Sequence, residues 1–205
     1  MVPRDQRAGA GHQGRVLDAR TFVRVIAGAA KGVRLAPVPR GVRPVSDMAR
    51  EGVFSSLGPL VAGARVLDLY AGTGALGIEA LSRGAASAVF VERSHPAVRA
   101  IRDNLDRARA TAAGTVVASE VLRFLMRDDT SDGGFELVFA DPPYETGEGD
   151  VSELLARLAQ GWLAERWTVV LTRPSRSSNH VIPVDWPIAR RLSYGDTLVL
   201  VYDRR

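Results

Sequence analysis

Between Arg65 and Leu171, five short apolar runs alternate with four stretches of helical period. Strands are expected over 65–70, 88–92, 115–118, 137–140 and 167–171. Ala71 to Gly74 form a turn that opens a helix through Leu81, and further helices are expected over 96–109, 121–126 and 151–158. Strands joined by helical crossovers run parallel, because a tight turn can only join antiparallel neighbours. The alternation therefore implies an α/β sheet, mostly parallel and wound on both faces. Further on, 188–194 and 197–202 flank Gly195-Asp196, a hairpin signal. That hairpin brings the sheet to seven strands and forces one of them to run antiparallel. Upstream, Ser46 or Asp47 can cap a helix through Met48, Val53, Phe54 and Leu57, which Gly58-Pro59 ends. Earlier still, 23–27 and 32–35 flank a Gly/Ala/Lys turn and read as a short β-hairpin. Pro37, Pro39, Gly41 and Pro44 mark an extended linker after it.

A chain of 205 residues suits one compact domain with a small appendage. Residues 1–21 are polar and Gly-rich and are expected to be a disordered extension. Residues 22–45 form the basic hairpin and linker, and 46–205 the α/β domain. No apolar run approaches the roughly 18 residues of a membrane span. The first twenty residues lack the apolar centre of a secretory signal, so a cytoplasmic protein is expected. The absence of cysteine excludes disulfides, thiolate metal sites and a cysteine nucleophile. His12, His95 and His180 show no ligand spacing, so no metal is expected. The net charge of +4 hides an asymmetry. The first fifty residues carry ten basic and three acidic side chains, which leaves the remaining 155 at −3. A basic arm on a mildly acidic body points to a polyanionic partner.

Two motifs carry chemistry. In Val66-Leu67-Asp68-Leu69-Tyr70-Ala71-Gly72-Thr73-Gly74, an apolar strand delivers a carboxylate and then a glycine turn enters a helix. Glycines let the backbone approach a ligand closely, and the helix N-terminus offers free N–H groups. Asp68, Tyr70, Ala71, Gly72 and Gly74 are thus candidate cofactor contacts, with Glu92 at the next strand end suited to ribose hydroxyls. Gly72 to Gly77 also match the dinucleotide GxGxxG pattern, so this motif alone leaves a dehydrogenase open. Asp141-Pro142-Pro143-Tyr144, after the fourth strand, separates the two readings. Strand 4 should lie beside strand 1, which turns Asp141 toward whatever the glycine turn holds. Asp141 and the Pro142 carbonyl can accept two N–H bonds, Pro143 stiffens the loop, and Tyr144 can stack on a ring. The set suits an amine on a planar ring.

These motifs resemble amine-directed methyltransferases of the class I Rossmann-like fold that use S-adenosylmethionine. In related enzymes a polar or acidic residue after strand 3 contacts the adenine of the cofactor, a role open to Ser119 or Glu120, although Ser119 equally suits a helix N-cap. The order of Arg24-Val25-Ile26-Ala27-Gly28, Lys31-Gly32, Leu35, Arg43-Pro44 and 47–54 resembles the start of the RsmD family. Tyr194-Gly195-Asp196-Thr197 resembles its closing hairpin. That family methylates N2 of one guanine in 16S ribosomal RNA. The resemblance spans about 22–203 and implies S-adenosylmethionine as cofactor, 16S rRNA or the small ribosomal subunit as partner, and a monomeric enzyme. Arg24, Lys31, Arg34, Arg43 and Arg50 would contact RNA phosphates. The chain departs from the family pattern at Val45 and Ser46 (threonines), Met48 (arginine) and Leu171-Thr172 (Val-Glu). A DNA adenine-N6 methyltransferase, a protein-glutamine methyltransferase and an inactive rRNA-binding assembly factor are the alternatives.

Overall fold

The computed structural model describes residues 23–36, 45–127, 134–176 and 186–204. The extension over 1–21, the linker residues 37–44 and Arg43 lie outside the described residues.

The alternation yields β1 (Arg65–Leu69), α2 (Ala75–Ser82), β2 (Ser87–Glu92), α3 (His95–Arg107), β3 (Gly114–Ala118), α4 (Val121–Leu125), β4 (Phe135–Ala140), α5 (Glu148–Ala159) and β5 (Leu163–Pro174). Helix α1 (Asp47–Leu57) precedes them, and β6 (Ile188–Tyr194) and β7 (Thr197–Arg204) follow. All seven strands form one sheet in the order β3-β2-β1-β4-β5-β7-β6. Only β7 runs against the rest, pairing antiparallel with both β5 and β6. The central strands alternate in what they face, as strand geometry requires. Val66, Leu137, Phe139, Val170 and Val199 pack with residues of α1, α2 and α3. Leu67, Leu69, Val138, Leu171 and Leu200 pack with residues of α4 and α5.

Helix starts follow local chemistry. The Ser46 side chain accepts from the Ala49 N–H at 3.2 Å, so of the two candidate caps Ser46 is the one used. Helix α5 begins three residues earlier than the apolar pattern suggests, with Glu148 and Asp150 in its first turn, where carboxylates favour the helix dipole.

The N-terminal segment differs most from expectation. Among the described residues its hairpin has a single antiparallel bridge, between Arg24 and Arg34. Beyond that bridge Val33 N turns to the Ala30 carbonyl and Gly32 N to the Val25 carbonyl, and α2 takes further backbone groups of the segment. Ile26 N and Ala27 N donate to the two carboxylate oxygens of Glu79, at 2.7 and 3.0 Å. Ala29 N donates to the Ser82 carbonyl, and Ala30 N to the Ser82 hydroxyl. Glu79 is wholly buried and also ion-paired to Arg83 at 2.6 Å. Val23, Val25 and Leu35 join the core beside α1 and α2, so the segment shares the domain's core.

Arg50 is also placed otherwise than expected. It is fully buried, and its Nη2 donates to the Arg24 carbonyl at 2.7 Å and to Asp47 at 2.8 Å. Burial lowers its pKa, with Asp47 and Glu79 opposing. Arg50 therefore ties α1 to the N-terminal segment and presents nothing to a phosphate. Met48, by contrast, is exposed.

Replacing Glu79 with alanine leaves two backbone N–H groups and Arg83 without their acceptor. Loss of buried, charge-assisted hydrogen bonds of this kind costs about 2–4 kcal/mol, and urea unfolding should show a stability deficit of that order.

Candidate active site

The turn from β1 into α2 needs a left-handed backbone at three positions: Tyr70 (φ 57°), Gly72 (φ 56°) and Gly74 (φ 76°). Glycine meets that demand without steric cost, whereas Tyr70 does not. Three side chains hold the turn. Asp68 is buried and accepts from Gly77 N at 2.9 Å. Glu92 accepts from Gly72 N at 2.9 Å and from Ser94 N at 2.7 Å. Asn104, fully buried on α3, donates to the Thr73 carbonyl at 2.9 Å and accepts from Ala36 N at 2.6 Å.

In the parallel register Leu69 lies opposite Ala140, so Asp141 leaves β4 beside the turn. Its N–H reaches the Leu69 carbonyl at 3.4 Å. A cleft of about 750 Å³ opens there, lined by Tyr70, Ala71, Gly72, Glu92, Ser119, Glu120 and the whole of Asp141 to Tyr144, with Asp68 at its floor. Among the lining side chains six are carboxylates (Asp68, Glu92, Glu120, Asp141, Glu145, Asp150) and only Arg93 is cationic. The cleft thus favours a cationic guest and disfavours phosphate. Burial raises the Asp68 carboxyl well above its usual range, opposed by the Gly77 N–H and reinforced by Asp141 and Glu92. Burial, with Glu120 and Asp150, pushes the Tyr70 phenol up to about 12.

Two candidates take different parts from those expected. Gly74 is not among the lining residues: a Cβ there would sit 3.3 Å from Ile101, Ile78 and Phe90, so it serves the turn and the core. The cap of α4 is Glu120, which accepts from Arg123 N at 2.9 Å, and the Ser119 hydroxyl instead donates to the Glu120 carbonyl.

The family described as conserved hypothetical protein 95 has a model that matches residues 23–203. Ribosomal RNA small subunit methyltransferase D of Escherichia coli K12 is 34% identical over 185 residues, covering 89% of this chain and 90% of that protein. The chain belongs to the RsmD family of methyltransferases. A solved hypothetical protein of Thermus thermophilus is 32% identical with a TM-score of 0.74, covering 87% of this chain and 98% of that one. An RNA methyltransferase from Salinibacter ruber, solved with S-adenosyl-L-homocysteine, is only 15% identical yet shares the fold at a TM-score of 0.61, over 78% of this chain and 93% of that one.

The cofactor of an RsmD-family methyltransferase is S-adenosylmethionine, and the cleft fits it. Its acidic lining matches a sulfonium, the glycine turn admits close approach, and Glu92 places a carboxylate at the end of β2. Among the described residues no group of His, Asp and Glu could hold a metal. No described helix is long and apolar enough to cross a membrane.

Sequence reasoning missed four residues here. Thr197, from the closing hairpin, lines the cleft and its Oγ1 lies 3.4 Å from the Tyr144 hydroxyl. Thr172, at the family's glutamate position, donates to Asp141 Oδ1. Arg173 donates from Nη2 to the Thr146 carbonyl at 3.1 Å. Asn104 left a signal: it is a polar residue on the apolar face that carries Ile101 and Leu105.

Because burial raises the Asp68 pKa, the folded chain binds that proton more tightly than the unfolded one. The resulting stabilisation is present below the unfolded carboxyl value, about 3.9, and is lost as pH rises toward the folded value. Asp68→Asn keeps an acceptor for Gly77 and carries no charge. Its melting temperature relative to the unsubstituted protein should therefore rise as the pH is raised above about 4 in thermal unfolding; an unchanged difference would contradict the assignment.

Proposed function

We propose that this chain transfers a methyl group from S-adenosylmethionine to the N2 exocyclic amine of one guanine in 16S rRNA, acting in the cytoplasm on the small ribosomal subunit. The observation that carries this reading is the Asp141-Pro142-Pro143-Tyr144 loop opening into the same cleft as the glycine turn. The Escherichia coli relative is named as a small-subunit rRNA methyltransferase, which supports the substrate class.

An ionised carboxylate only accepts, and Pro142 has no N–H, so Asp141 and the Pro142 carbonyl offer two acceptors to the two N–H bonds of an amine. Pro143 is exposed and holds the loop's φ, and Tyr144 is exposed enough to stack on the base. When bound, S-adenosylmethionine supplies an electrophilic methyl carbon. The guanine N2 lone pair is delocalised into the ring, so the amine is a poor nucleophile. Asp141 and Pro142 hold it in line with that carbon. The N–C bond would form as the C–S bond broke, the bonding pair would stay on sulfur, and the amine proton would leave to solvent after transfer. Orientation of this kind contributes several kcal/mol, on the order of what effective molarities imply. Asp68, Tyr70, Ala71 and Gly72 would hold the cofactor, with Gly74 supporting them from the turn, Glu92 accepting from its ribose and Ser119 or Glu120 contacting its adenine.

An acidic cleft repels a phosphate backbone, so RNA must be gripped elsewhere. Arg24 and Arg34 are exposed across one bridge, and Lys31 is exposed in the turn between them. Neighbouring side chains across a bridge lie about 5 Å apart, close enough to serve adjacent phosphates.

Labelled-methyl transfer to unmodified small subunits, naked 16S RNA and duplex DNA tests the reading. N2-methylguanosine at one site is the expected product, and Asp141→Ala should lower turnover by at least about 100-fold while RNA binding persists. Transfer to DNA, or none to either RNA form, would overturn the substrate. Changing Arg24 and Arg34 together to alanine should weaken RNA binding and flatten its log–log salt slope by about 2. An unchanged slope would show that these arginines do not meet phosphates.

A further inference from the structure

β4 and β5 run parallel with Ala140 opposite Leu171, so Asp141 and Thr172 leave that pairing side by side. Thr172 is buried, as are Leu171 before it and Arg173 after it. A β-branched side chain on a strand has few χ1 choices, and close packing removes most of those. Its hydroxyl donates to Asp141 Oδ1. A donated hydrogen bond favours the ionised form of a carboxylate and fixes the plane in which the carboxylate lies. A carboxylate has about four lone-pair positions, so it can accept from more than one donor at once.

The next residue of β5 serves the same loop from the other face of the sheet. The Arg173 side chain donates to the carbonyl of Thr146, at the far end of the segment that starts with Asp141. The two bonds differ in kind. That of Arg173 holds backbone, whereas that of Thr172 holds only the carboxylate of Asp141.

We propose that Thr172 is a positioning residue for methyl transfer: its hydroxyl holds the Asp141 carboxylate in the orientation that accepts the amine of the target base. The proposal rests on the reading of Asp141 as an amine acceptor. Thr172 has no direct part in binding cofactor or RNA, so its contribution falls on kcat.

The test compares the unsubstituted protein with Thr172→Val, Thr172→Ser and Asp141→Ala. Methyl transfer to unmodified small subunits gives kcat and KM, and calorimetry gives the S-adenosylmethionine Kd. Valine keeps the shape and removes the donor; serine keeps the donor. Thr172→Val should lower kcat about 10–100-fold, the range for a hydrogen bond to a charged group, with KM and cofactor Kd changed less than about twofold. Thr172→Ser should recover to within about threefold of the unsubstituted kcat. An unchanged kcat in Thr172→Val, with Asp141→Ala inactive, would overturn the role of Thr172 and leave that of Asp141 standing. Thr172→Ser as slow as Thr172→Val would show that the hydroxyl is not what matters. Joint loss of cofactor binding and turnover in Thr172→Val would make the residue a purely structural one. Full turnover in Asp141→Ala would remove the reading of Asp141 and this proposal with it.

Discussion

Two carboxylates and one amide hold the turn between β1 and α2, and the cleft exists because they do. Tyr70 in a left-handed backbone costs about 1–2 kcal/mol, which a free turn would shed by relaxing. Glu92 on Gly72 N, Asp68 on Gly77 N and Asn104 on the Thr73 carbonyl prevent that relaxation. Each draws on a different element: β2, β1 and α3. The acidic side chains that line the cleft are therefore oriented by the protein itself. A guest meets acceptors already aimed, which lowers the ordering cost of binding.

Helix α2 is enclosed on all sides, with every residue from Ala75 to Ser82 buried. On one side it meets the sheet, and on the other the segment 23–36, through Glu79 and Ser82. Buried charges are costly unless paired, and here Glu79 has Arg83 and two backbone N–H groups. Arg83 in turn lies 4.8 Å over the ring of Phe54 on α1. The basic surface at Arg24, Lys31 and Arg34 is thereby mounted on the helix that begins at the glycine turn. Asn104 adds a shorter link, since one side chain bonds both Ala36 and Thr73.

The fold was legible because period and glycine placement are local signals. The seven strands, the single antiparallel strand and the pairing of β1 with β4 all follow from them. The loop from Asp141 to Tyr144 stood out in the sequence after the fourth apolar run, and it lines the cleft. What escaped were relations across the sheet. Thr172 acquires its partner from the register of β4 on β5, which no local pattern encodes. Arg50 looked like one more arginine of a basic arm, and only its helical phase relative to Val53, Phe54 and Leu57 could have marked it as internal. The hairpin at 23–35 carried correct turn chemistry, but its turn bonds and its bonds to α2 leave one bridge among the described residues.

β6 runs parallel to β5, so the turn at 194–197 lies at the carboxyl edge of the sheet beside loops made far earlier, and β7 runs back from it. Tyr194 packs so closely on α1 that a Cβ at Gly52 would lie 1.8 Å from its hydroxyl. Thr197 meets Tyr144. During vectorial synthesis the glycine-turn half of the cleft, built from residues 68–122, is complete while the strands that finish the half around Tyr144 are still unmade. The same geometry leaves α1 without its final neighbour until β6 has formed. A chain truncated before Thr197 would thus carry every other residue that lines the cleft, Asp141 to Tyr144 included, and lack only the one that meets the Tyr144 hydroxyl.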